Sequence, residues 1–204
     1  MRRVDRFRAV FKTLGQPARG SSFRAVPLKF QSSPISAIGS RIAGGRYNAK
    51  ATFEALYTAE SADTALREVN VVVQVPDGSW ITVPAAPHIL FTVDYDLSHV
   101  VDLTDLDTLT RLKIEPADLL SNWKLDVLAG RVPLTHEIGA AACLAGVEAL
   151  RVPSARHNTS TNIVVIHDQM LTTSRVAIHD PQGFAAGTPT ELVGEKTSRF
   201  KPGR

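Results

Sequence analysis

Cysteine is almost absent: Cys143 is the only one in 204 residues. One thiol cannot close an internal disulfide, so packing must hold the fold, and a reducing, cytosolic compartment is expected. No run of about 18 apolar residues occurs, so no transmembrane helix is expected. The N-terminus also lacks the apolar stretch of a secretory signal. The common signatures GxGxxG, GxxxxGK(S/T), GxSxG, HExxH and CxxC are all missing. Any nucleotide chemistry must therefore use a site outside the common phosphate-loop families.

Excess charge is small and local. The net charge is +3, but residues 1–12 (MRRVDRFRAVFK) carry five basic groups and one acid, and the other 192 residues carry 18 basic groups against 19 acidic, a balance of −1. The high pI thus belongs to the N-terminal end, and no direct nucleic-acid or membrane partner is expected for the domain. The length, with 44% hydrophobic and 21% charged residues, fits one soluble globular domain.

Several segments have a clear local pattern. In residues 1–14, Val4, Phe7 and Phe11 share one face of a short amphipathic helix, read as docked on the domain or on a second subunit. Gly15 to Ser22 reads as a Gly/Pro/Ser linker. Strands are expected over Ser22 to Pro27 and Glu54 to Ala59, with a Ser/Pro/Gly-rich loop over Gln31 to Arg41. Ser61 is placed to cap a helix with Asp63 in its first turn and Ala62, Ala65, Leu66 and Val69 on its apolar face. Val71 to Val75 can switch to strand before a turn at Pro76-Asp77-Gly78. Two more strands are expected at His88 to Tyr95 and His99 to Leu103, and a helix over Ile114 to Leu120. Trp123 reads as a surface anchor.

Thr135 to Leu150 (THEIGAAACLAGVEAL) has the clearest helical pattern, with Thr135 as its expected cap, and Arg151 to Arg156 reads as a turn leaving it. Thr161 to His167 is the best strand, and Ser174 to His179 a last one. From Gly183 the chain reads as a loose tail. Strands and helices alternate without a βαβ rhythm. The expected class is α+β, a mixed, partly antiparallel central sheet flanked by helices.

Metal ligands are scarce in pattern. His136-Glu137 lacks a second histidine four residues on, and His167-Asp168 and His179-Asp180 read as surface pairs, so no metal is expected. Cys143 reads as a small buried hydrophobe.

The stretch from Gly39 to Val69 concentrates what remains: Gly44-Gly45-Arg46-Tyr47-Asn48, then Leu56-Tyr57-Thr58-Ala59, then Ala65-Leu66-Arg67-Glu68-Val69. With Phe23-Arg24, Val101-Asp102-Leu103-Thr104, Val152-Pro153-Ser154-Ala155-Arg156 and Asn162-Ile163-Val164-Val165, these pieces resemble, in order, the RES domain family, whose name abbreviates an Arg, a Glu and a Ser. The resemblance runs from about residue 20 to residue 170, and the expected RES domain covers 20–182, leaving 1–19 as a basic amphipathic extension and 183–204 as a tail. It implies an ADP-ribosyltransferase-like fold and a bacterial toxin paired with an Xre-like antitoxin that covers the active site as a hetero-oligomer. It also implies NAD as substrate, cleaved at the nicotinamide–ribose bond by a glycohydrolase or phosphorylase. The alternative it leaves open is transfer of ADP-ribose to a protein acceptor. In this sequence Tyr47 stands where the family often has Trp. Thr135-His136 stands where Ser or Thr is often followed by Gln, so the family serine corresponds to Ser154 or to Thr135.

The residue chemistry agrees with that implication. Arg46, after two glycines, and Arg24 can bind a pyrophosphate through charge-assisted hydrogen bonds. Tyr47 and Asn48 adjoin Arg46 and join the expected NAD-binding set with Ser154 and Thr135. The ring of Tyr57 can stack on nicotinamide. Glu68 can stabilise oxocarbenium character on the ribose, and the expected catalytic set is Glu68 with Arg46 and Tyr57. Each residue also has an ordinary reading: turn arginine, core-edge tyrosine, exposed helix glutamate, turn serine. A further reading makes the chain a non-catalytic binding module whose working surface is the basic N-terminal helix.

Overall fold

The computed structural model describes residues 2–70, 72–74, 79–82, 86–157, 159–180, 182 and 189–197. In chain order the elements are α1 (Arg3–Phe11), β1 (Gln16–Pro27), α2 (Ile38–Ala43), β2 (Ala55–Ala59), α3 (Ala62–Glu68), β3 (Val72–Gln74), β4 (Trp80–Thr82), β5 (His88–Asp102), α4 (Leu106–Leu112) and α5 (Pro116–Leu119). They continue with α6 (Trp123–Leu128), α7 (Leu134–Ala145), β6 (Ala149–Pro153), β7 (Thr161–Ile166), β8 (Arg175–Ile178) and β9 (Glu191–Val193). The class is α+β.

The main sheet runs β1-β2-β7-β6-β5-β8-β9, and β1 also pairs with β5. Five of its strands, β1, β2, β7, β6 and β5, therefore form a closed circuit of hydrogen-bonded neighbours. Only β5 and β6 run parallel; the other neighbours are antiparallel. Strand β7 shows why its sequence is continuously apolar. Val164 and Ile166 pack into one core with α1, α4 and α7, while Ile163 and Val165 pack into a second core with Leu56, Leu97 and Val176. A strand buried on both faces has no polar side to alternate with.

Helix α1 spends its apolar face inside the protein. Phe7 and Phe11 are fully buried in the first core, and Arg3 Nη1 bonds Glu137 Oε2 of α7 at 2.7 Å.

Several segments depart from the sequence reading. The expected linker from Gly15 to Ser22 is mostly strand: Gln16 to Ser22 extend β1, because β5 pairs with it across the fold, Gly20 opposite Tyr95 and Ser22 opposite Val93. The two strands expected at 88–95 and 99–103 are one, since Arg19 and Ala18 of β1 pair with Asp96 and Leu97 between them. The loop expected over Gln31 to Arg41 ends in α2.

Helix α7 stops at Ala145, not Leu150, because Gly146 takes the left-handed conformation at φ 76°. Ala149–Pro153 is then a strand, where a turn was expected over Arg151 to Arg156. Thr135 does not cap α7: the N-cap is Pro133, and Thr135 lies inside the first turn, fully buried with Oγ1 unpartnered. Beyond the expected tail boundary, Glu191–Val193 pair with β8. The turn expected at Pro76-Asp77-Gly78 lies outside the described residues. Among those residues no helix is long and apolar enough to cross a membrane.

Candidate active site

The site forms where α3, the 44–48 loop and the ends of β1, β2, β6 and β7 converge. Helix α3 starts as its sequence suggests: Ser61 Oγ accepts a hydrogen bond from Thr64 N at 3.1 Å. Thr64 and Ala65 are buried, and Glu68 closes the last turn. Two residues distant in sequence meet its carboxylate. Ser154 Oγ, just past β6, and Asn162 Nδ2, in β7, each donate to Glu68 Oε1 at 2.7 Å. Ser154 Oγ in turn accepts from the backbone N–H groups of Arg156 and His157, both at 3.1 Å. The serine is thus fully committed, and the half-buried carboxylate has its direction fixed from two elements.

The 44–48 loop is held just as firmly. Tyr57 Oη accepts from Tyr47 N at 2.9 Å and donates to Asn48 Oδ1 at 2.8 Å. Asn48 Nδ2 donates to Ser40 O at 2.8 Å and to Phe53 O. Gly45 is needed because a Cβ there would lie 2.5 Å from Tyr57 Oη. Gly139 lets α7 cross the loop: its Cβ would lie 1.6 Å from Tyr47 O. His136 Nε2 meets Gly45 O at 2.9 Å, and its ring packs at 5.4 Å from that of Trp123. Burial lowers the His136 pKa, opposed by the Gly45 contact, which favours a neutral ring donating to that carbonyl.

A cavity of about 470 Å³ opens between these parts, within the range of small-molecule sites. Among the described residues its wall carries four cations, Arg24, Arg46, Lys124 and Arg156, against one carboxylate, Glu68. Phe23, Tyr57 and Trp123 add aromatic surface. Arg46 Nη1 is engaged by Leu119 O at 3.1 Å and Ser121 O at 2.7 Å, carbonyls at the end of α5. Arg24 Nη2 donates to Ser36 O at 3.0 Å, while its Nη1 is buried with no partner among the described residues. Burial lowers the Arg24 pKa to about 10, so it remains a cation at neutral pH. A buried guanidinium with an unmet N–H and no carboxylate partner among the described residues is suited to an anionic ligand.

The structure therefore brings Arg24, Arg46, Tyr57 and Glu68 to one cavity, with Ser154 directly behind Glu68. It places Tyr47, Asn48 and Thr135 off the cavity wall. Tyr47 and Asn48 are fully buried supports of the loop, and Thr135 sits in the packed first turn of α7. The Tyr57 hydroxyl is a staple for that loop, and burial pushes the phenol pKa upward. Asn162, Trp123, Lys124 and Arg156 complete the site without having been marked as site residues. Asn162 did carry signals: with Thr161 it opens a strand that is otherwise apolar, and it belongs to the Asn162-Ile163-Val164-Val165 piece of the resemblance.

The two His-Asp pairs are engaged elsewhere. His167 Nδ1 lies 3.5 Å from Glu54 Oε2, and His179 Nδ1 lies 2.7 Å from Asp94 Oδ2. Among the described residues, no three His, Cys, Asp or Glu side chains gather as metal ligands would.

A family model described as the RES domain matches residues 22–184. A solved structure of the M. tuberculosis MbcT–MbcA toxin–antitoxin complex contains a chain that superposes with a TM-score of 0.53 at 22% identity, covering 80% of each chain. At that identity the likeness establishes a shared fold. No curated protein matches the chain.

Proposed function

Because the chain belongs to the RES domain family, we propose that it is the toxin of a bacterial toxin–antitoxin pair and consumes cytoplasmic NAD by splitting the nicotinamide–ribose bond. The observation that carries this reading is the Glu68 carboxylate, fixed by Ser154 and Asn162 on the wall of a cavity whose other charged lining residues, among those described, are cations.

Arg24 and Arg46 bind the pyrophosphate, Arg24 through the Nη1–H that lacks a partner. The Tyr57 ring flanks the nicotinamide end. When the C1′–N1 bond breaks, its electron pair goes to the ring nitrogen, so nicotinamide leaves as a neutral molecule. Positive charge develops on the ribose, and Glu68 stabilises it there without reorganising. Water or phosphate then adds at C1′ and loses its proton to solvent. Nothing in this scheme requires the Tyr57 hydroxyl to move a proton.

The proposal extends to an antitoxin partner that covers the cavity. It draws support from the named assembly of the structural neighbour. Two short helices at the cavity rim add to this: α2 and α6 contribute Gly39 and Trp123 to the wall while leaving Ile42 64% and Leu128 83% exposed. Exposed large apolar side chains beside a functional cavity suit a protein partner.

The test is to incubate the purified protein with NAD and follow nicotinamide release, with and without phosphate. Release is expected; its absence under both conditions would refute the reading. Labelled NAD in a cell lysate distinguishes the acceptor, because a discrete labelled protein band would mean ADP-ribosyl transfer instead.

A further inference from the structure

Asn162 is a cavity-wall residue with two functional ends in different states. Nδ2 is used: it donates to Glu68 Oε1 at 2.7 Å. Oδ1 is not: it is buried and has no hydrogen-bond partner among the described residues. An amide carbonyl can only accept, so what completes it must be a donor. Unpaired buried acceptors are uncommon in native folds, and one at a ligand cavity points to the ligand. The assignment of the two ends is fixed by chemistry, since a carboxylate can be met only by the NH₂ group.

We propose that Asn162 reads a ribose hydroxyl: Oδ1 accepts a hydrogen bond from the nicotinamide-ribose 2′-OH or 3′-OH while Nδ2 holds Glu68 in place. This rests on the NAD reading above. The sugar hydroxyls are the donors nearest the glycosidic carbon that Glu68 serves, and one amide group separates Oδ1 from the nitrogen on that carboxylate. Recognition of the sugar and placement of the carboxylate are thereby joined in a single side chain. Ser154 has no comparable capacity, because its hydroxyl already donates to Glu68 and accepts from two backbone N–H groups.

The test is a cycle in kcat/KM. Wild type, Asn162→Ala and Asn162→Asp are compared on NAD and on its 2′-deoxy and 3′-deoxy nicotinamide-ribose analogues, with thermal unfolding confirming that each variant folds. One analogue is expected to lose about fivefold in wild type, the worth of one neutral hydrogen bond. That loss should vanish in Asn162→Ala. Asn162→Asp keeps an acceptor but sets a second carboxylate against Glu68, so it should retain the discrimination while kcat falls. Equal penalties for both analogues in wild type and Asn162→Ala would overturn the proposal and leave NAD cleavage standing. If wild type binds NAD without cleaving it, the same cycle is read in Kd. If it neither binds nor cleaves NAD, the functional reading fails and this inference with it.

Discussion

Replacing Tyr57 by phenylalanine keeps the ring on the cavity wall and removes a single oxygen. That oxygen accepts from Tyr47 N at 2.9 Å and donates to Asn48 Oδ1 at 2.8 Å. Tyr47 and Asn48 are 1% and 0% exposed, so water cannot take over either bond. Each buried polar group left unpaired costs roughly 1–3 kcal/mol, and partial relaxation of the loop puts the pair at about 3 kcal/mol. For a chain of this size that lowers Tm by roughly 6–12 °C. Urea unfolding should show a lower midpoint at constant slope, the mark of a stability change without a change in the surface exposed. If the ring served only as a stacking platform, Tyr57→Phe would leave the midpoint where it is. An unchanged midpoint would refute the staple, and with it the claim that the hydroxyl fixes the loop carrying Arg46.

Three further outcomes follow from other parts of the molecule. Phe11→Ala, in a fully buried position between α1 and the core, should lose about 3–5 kcal/mol in denaturant unfolding; a loss near zero would mean that α1 is not docked. Arg24→Gln removes the cation with the unmet N–H and should raise the NAD Kd roughly 10- to 100-fold, the range for a charge-assisted bond, as measured by titration calorimetry at fixed salt. His136 has a folded pKa below its unfolded value because burial disfavours the charged ring. The unfolded chain therefore binds more protons, and stability should fall as pH drops through about 6.5 and below. In a pH series of unfolding midpoints, His136→Gln should reduce that acid-side loss, and an identical profile would contradict the assignment.

Much of the architecture was readable from local pattern, where local pattern decides structure. The apolar run of Ile163 to Ile166 predicts a strand, and the Ser61 cap predicts the start of α3. Misreadings fall where distant partners decide. Gly15 to Ser22 has linker composition, yet β5 supplies the pairing that makes most of it a strand. Residues 146–150 have helical composition, yet Glu148 is drawn from that pattern into the interior. Its carboxylate accepts from the backbone N–H groups of Ser98, His99 and Leu171.

The candidate site divides along the same line. Arg24, Arg46, Tyr57 and Glu68 stand out as chemistry-bearing residue types in a recognisable order, and they do share a cavity. Their division of labour was not legible. The direction of Glu68 depends on Ser154 and Asn162, 86 and 94 residues away. The use of the Tyr57 hydroxyl depends on a loop conformation that Gly45 permits sterically. Thr135 and Ser154 could not be separated as the serine equivalent by spacing. In the fold, Ser154 touches Glu68, and Thr135 is buried in α7 away from the cavity wall.

The central claim is that Glu68 carries the chemistry at C1′ while the arginines only hold the dinucleotide. The most direct measurement is the rate of nicotinamide release from saturating NAD by wild type and by Glu68→Gln, which keeps the side-chain shape and removes the charge. The account predicts a fall in kcat of roughly 10²–10³, the usual loss when a preorganised electrostatic group is removed, with NAD still bound. A Glu68→Gln enzyme that releases nicotinamide at the wild-type rate would contradict it.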